Sequence, residues 1–276
     1  MLRGVCAETA TDASFRSYRA AVRRSRGIRS LSSAVVLAVW SGTLGALASS
    51  AVAAEAPYSA PLRTAVRQLV VAAENNAGYD RDAQFGSGWA DADGDCQDTR
   101  HEVLIAESTV AATLSSSGCT VTAGRWTTFY DNATYTSPTQ VQIDHLVPVA
   151  EAWGSGAQVW TQAQRVAFYN DLGDRLSLNA IAGALNASKS DRGPEEWMPP
   201  ANGCDYLQAW TAVKVRWSLT VDPGEQAALI SQADACPNDT ITVETVFTNA
   251  VTPIPPPTDP PTTPVLPVDP PASASG

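Results

Sequence analysis

Two histidines lie in the 276-residue chain, His101 and His145, and the second stands in a pattern that could do chemistry. Asp144-His145 follows the alternating stretch Val141-Gln142-Ile143 and precedes Leu146-Val147-Pro148, so a carboxylate and an imidazole emerge together where a strand hands over to a loop. An imidazole of ordinary pKa can take a proton from water near physiological pH. Further along come Asn179 and then Asn186-x-x-Lys189, with Arg192 close behind and Arg100 upstream in an Asp-Thr-Arg run. A lone Asp-His pair is weak evidence, but here Pro148, Asn186 and Lys189 follow it in order.

The pattern Asp-His-x-x-Pro with a later Asn-x-x-Lys resembles the HNH, or ββα-metal, nucleases, whose motif sets two strands and a helix around one ion. The segments DCQDTRHEVL (95–104), CTVTAGRW (119–126), DHLVPVAEAW (144–153), NASKSD (186–191) and EEWMPP (195–200) are similar to secreted HNH endonucleases related to the C-terminal (DUF1524-like) domain of the GmrSD restriction enzymes. The resemblance covers roughly residues 78–236. It implies a metal-dependent endonuclease that hydrolyses phosphodiester bonds of DNA or RNA. His145 would be the general base, Asp144 and Asn186 the ligands of one divalent ion, Mg²⁺ or Mn²⁺, and Asn179 the residue nearest the role of orienting His145. The spacing from Asn179 to Asn186 is short for that role, and a backbone carbonyl elsewhere is the alternative. Lys189, Arg192 and Arg100 are the candidate phosphate contacts, with a solvated charge or structural ion pair as the plainer reading of each.

Other motifs are weaker. His101-Glu102 could begin a zinc-protease helix, but Ile105 stands where the second histidine is required. Asp91-x-Asp93-x-Asp95 resembles half a calcium loop, yet Cys96 occupies the sharp-turn glycine position, which favours a solvated turn. The tryptophans are read as core.

The elements that must position these residues are α+β. Leu62, Val66, Leu69, Val70 and Ala73 fall at the spacing of one helix face, closed by a turn at Asn75 to Gly78. Gly86 to Asp98 reads as loop, and Val103 to Ala106 is ambiguous between strand and helix. Between Cys119 and Ile143, β-branched and aromatic residues broken by Gly124 and Asp131-Asn132 predict short antiparallel strands. Helices are expected over 159–170, 178–189, 206–219 and 223–235, the last opened by Pro-Gly-Glu.

Residues 1–54 carry seven arginines and an apolar, small-residue run ending in Ala-x-Ala-like sites, the pattern of a signal peptide, which places the protein outside the cell. Residues 55–248 are the expected nuclease domain, and 249–276 a Pro/Thr-rich extended tail. The whole chain has 18 Lys+Arg against 28 Asp+Glu; without the leader 11 face 26, a net −15. Bulk charge therefore cannot hold a polyanion, and nucleic acid, the expected partner, needs a local basic cluster or a cation. No membrane partner is expected after leader removal, and a monomer is expected. Cys96, Cys119, Cys204 and Cys236 allow three pairings; the nearest-neighbour one, Cys96 with Cys119 and Cys204 with Cys236, closes two local units and is favoured. Two rivals stay open: a cell-surface binding module without turnover, and a phosphodiesterase of small substrates.

Overall fold

A computed structural model describes residues 56–247; the expected leader and tail lie outside the described residues. The architecture is mixed α+β, with eight short strands in four two-stranded antiparallel sheets among helices. Strand β1 (Tyr58–Pro61) pairs with β8 (Thr240–Val243), so the two ends of the described chain close on each other.

Helix α1 (Leu62–Gln68) buries Leu62, Ala65 and Val66 and is shorter than its apolar stripe predicts. Leu69 turns extended, and Val70 and Val71 are about half exposed. The cause is tertiary: Val221 N donates to Val70 O and Ala72 N to Val221 O, both at 2.9 Å, which draws two β-branched residues into a bridge. Helix α2 (Arg81–Phe85) is capped by the Asp80 side chain. The ambiguous run becomes helix α3 (Thr99–Glu107), capped by Asp98, whose carboxylate accepts from His101 N. Strands β2 (Thr113–Leu114) and β3 (Val121–Ala123) pair, as do β4 (Trp126–Thr127) and β5 (Thr134–Tyr135), in the region where short strands are expected.

The central hairpin is β6 (Val141–His145) against β7 (Leu178–Ala182), followed at once by helix α6 (Gly183–Lys189). The expectation of a helix from Leu178 is corrected: its first five residues are a strand. All five are buried, so LNAIA lacks the alternation that marks a half-exposed strand. Between the strands lie α4 (Val149–Gly154) and α5 (Gln162–Tyr169), the latter capped by Thr161 and Gln164.

Helices α7 (Gly203–Arg216) and α8 (Pro223–Ala235) complete the larger core, where Tyr206, Trp210 and Trp217 are fully enclosed. Within it Lys214 pairs with Glu151 and Glu225, one buried ammonium between two carboxylates. A second core, built from Val103, Leu104, Val121 and Trp126, covers one face of the hairpin at Val141, Ile143, Leu178 and Ala180. Disulfides join Cys96 to Cys119 and Cys204 to Cys236, the nearest-neighbour pairing.

Candidate active site

Side chains alternate across a strand, so Asp144 and His145 project from opposite faces of β6. Asp144 lies directly across from Asn179, and His145 across from Leu178. On one face stand Gln142 and Asp144, against α6; on the other stands His145, beyond Ile143 in the smaller core.

His145 is 7% exposed and enclosed by rings: Trp89 stacks on it at 5.3 Å, with Tyr169 at 4.6 Å and Phe168 at 6.1 Å between centroids. Its Nε2 lies 2.8 Å from the backbone oxygen of Tyr169. A carbonyl oxygen only accepts, so Nε2 carries the proton and Nδ1 keeps the lone pair. Burial holds the imidazole down at about 3; the Tyr169 carbonyl opposes this, while the charges of Arg81 and Lys189 add to it. The ring is therefore neutral at physiological pH.

Asp144 is equally buried. Its Oδ2 accepts from the Tyr130 hydroxyl at 2.6 Å, and Lys189 Nζ donates to Oδ1 at 3.0 Å and to the His145 backbone oxygen at 2.9 Å. Desolvation pushes the Asp144 carboxyl up and the Lys189 ammonium down, and each is restored in part by the other's charge. Lys189 has no exposed surface, which corrects its expected place among the phosphate contacts: its position three residues after Asn186 turns it under β6 instead of outward.

The remaining expected residues are scattered. Asn179 donates from Nδ2 to Leu176 O at 3.1 Å, on the face away from His145. The orienting partner is the Tyr169 carbonyl, because strand parity denies that place to any residue opposite Asp144. Asn186 donates to Gln142 Oε1 at 2.9 Å. Arg100 spends its Nη2 on the carbonyls of Pro138 and Val141, at the far end of β6 and about 13 Å of extended strand from His145. Arg192 bonds the Lys189 and Ser188 carbonyls at the end of α6. His101 accepts from Val121 N at 3.2 Å and braces α3 on β3.

A divalent ion held by Asp144 and Asn186 does not fit the residues as they stand. Both Asp144 oxygens are engaged, one of the donors is a cation that already neutralises the carboxylate, and a second cation would meet Lys189 as a like charge. Among the described residues, the three-carboxylate group whose oxygens gather closely enough for an ion is the exposed turn Asp91, Asp93 and Asp95. Its carboxylates accept from Gly94, Asp95, Cys96 and Gln97 backbone amides.

Three participants carry no sequence signal of their own. Tyr130 and Tyr169 read as ordinary aromatic residues, and Arg81 sits in a polar turn 64 positions from His145. The exposed Arg81 guanidinium bonds the Tyr169 hydroxyl at 2.7 Å and lies 5.3 Å from that ring's centroid.

The family described as GmrSD restriction endonucleases, C-terminal domain, matches residues 98–232, a span that holds β6, β7, α6 and the residues around His145 other than Arg81 and Trp89. The chain belongs to this family. It is also 40% identical over 161 residues to an uncharacterized secreted protein of Arthroderma benhamiae, covering 58% of this chain and 76% of the relative. No solved structure matches. With that relative and two disulfides, the protein is a secreted one. No helix among the described residues is long and apolar enough to cross a membrane.

Proposed function

We propose that the protein is a secreted HNH-type endonuclease that hydrolyses phosphodiester bonds of DNA or RNA, with His145 as general base. One observation carries the reading: the Tyr169 carbonyl locks the tautomer of a neutral imidazole so that Nδ1 is the proton acceptor. Nδ1 would take a proton from the attacking water as its oxygen closes on phosphorus, while the P–O3′ bond breaks and the departing 3′ oxygen takes a proton from solvent. The rings of Trp89, Phe168 and Tyr169 keep the imidazole in one plane and exclude bulk water around it. Lys189 and Asp144 act from beneath, fixing the end of β6 through the His145 carbonyl.

A single divalent ion, Mg²⁺ or Mn²⁺, is the cofactor that kinship with restriction endonuclease domains implies. Because the residues around Asp144 do not gather about an ion, no step is assigned to one.

The test incubates the purified protein with plasmid DNA and with RNA, in Mg²⁺, in Mn²⁺ and in EDTA, beside His145→Ala. Cleavage that depends on His145 is the expected result, and the EDTA arm decides the metal requirement. Binding without cleavage under any ion would favour a binding module on the same fold. Hydrolysis of bis-p-nitrophenyl phosphate alone would favour a small-substrate phosphodiesterase.

A further inference from the structure

We propose that Arg81, on α2, is the phosphate-binding residue beside His145, and that Tyr169 sets the distance between the two. The proposal rests on the nuclease reading above and supplies what that reading lacks, a cation available to a polyanion.

A chain of net −15 beyond its leader repels nucleic acid, so an exposed cation beside the reacting group is required. The three cations singled out by spacing do not serve. Lys189 is buried and neutralised by Asp144, Arg100 is bound to carbonyls at the far end of β6, and Arg192 folds back on the end of α6. Two cations act electrostatically on the His145 ring, Lys189 and Arg81, and of these Arg81 is exposed.

Its setting suits an anion. Among the described residues no carboxylate forms an ion pair with Arg81, although Asp80 and Asp82 flank it; Asp80 is turned onto the amide of Ala83. One Nη2 bond to the Tyr169 hydroxyl fixes the guanidinium and leaves most of its five donors for a ligand. A planar fork of this kind pairs with two phosphate oxygens at once. Tyr169 holds both partners, Arg81 by its hydroxyl and His145 Nε2 by its backbone oxygen. The Arg81 guanidinium and the His145 ring both lie against the Tyr169 ring, 5.3 Å and 4.6 Å from its centroid, so a phosphate on Arg81 falls on the His145 side of the molecule.

The experiment measures binding apart from cleavage. Fluorescence anisotropy follows labelled single-stranded DNA and RNA oligonucleotides on the His145→Ala protein, across a salt series, with and without Arg81→Gln or Arg81→Lys. Arg81→Gln should weaken binding about tenfold and reduce the slope of log K against log salt by roughly 0.7, the loss of one phosphate contact. Arg81→Lys should keep the slope and recover part of the affinity. In the His145-intact protein, Arg81→Gln should lower kcat/KM, with thermal midpoint within about 2 °C of the parent because the side chain is exposed. A purely structural role would leave the salt slope unmoved, and an unchanged slope and affinity would overturn the proposal. If the His145→Ala protein binds no oligonucleotide at all, the nucleic-acid reading itself fails and Arg81 with it.

Discussion

At the scale of single residues, the tautomer of His145 and the charge on Asp144 are decided by groups distant in sequence. A ring held at about 3 stays unprotonated far below the usual histidine range. Activity should therefore persist as pH falls from 7 to 5, with no acid limb near 6.5; a rate profile halving near pH 6.5 would contradict this. His145→Ala should lower the cleavage rate by about 10²-fold, the lower end for a positioned base, because a ring held at about 3 takes a proton less readily than one that titrates near the operating pH. Lys189→Met leaves the Asp144 carboxylate buried without its cation, which costs about 3–5 kcal/mol. For a domain of this size that corresponds to a melting temperature lower by roughly 10 °C, measured by calorimetry. Adding Asp144→Leu to that variant should restore much of the loss, since neither partner is then left alone.

At the scale of elements, the unit that matters is β6, β7 and α6, with α3 and β3 clamping one face and α6 the other. The turn carrying Asp91 to Asp95 is attached to this clamp through Cys96 and Cys119, which close a loop of 23 residues. Chain-entropy reasoning puts such a cross-link at roughly 3 kcal/mol. Replacing both cysteines with serine should lower the urea midpoint and speed hydrogen exchange in α3 before α7. Equal acceleration in both helices would mean that the cross-link acts on the whole domain. The hairpin also shows why residue types were easier to read than roles. Asp144 and Asn179 are cross-strand partners, a relation invisible while Leu178 to Ala182 reads as helix.

At the scale of the whole molecule, several carboxyl groups are held above their ordinary range. Burial pushes Glu107 up to about 8 against the Ala180 amide that it accepts from. Burial and the neighbouring Glu151 charge hold Glu225 at about 7, against the pull of Lys214, and burial with the same charge does likewise for Glu74. A carboxyl raised on folding stabilises the folded form below its unfolded pKa and loses that contribution as pH rises through the folded value. His145 works the other way, since its depressed pKa costs stability only below the ordinary histidine range. Between pH 6.5 and 8.5 these raised carboxyls lose their protons in the folded form, and self-repulsion of an acidic chain acts in the same direction. The melting temperature should fall over that interval; a flat or rising curve would refute it.

The sequence by itself determined the α+β class, Asp144-His145 at a strand end and an extracellular destination, because each rests on local spacing or composition; it left three cysteine pairings open and favoured the nearest-neighbour one, which the structure decided. Only the tertiary structure decided what those residues touch. Strand parity put Asp144 and His145 on opposite faces, burial on both sides disguised β7, and the turn of α6 drove Lys189 inward. Tyr130, Tyr169 and Arg81 reach the site from remote segments, and a pattern along the chain holds no record of distance in space.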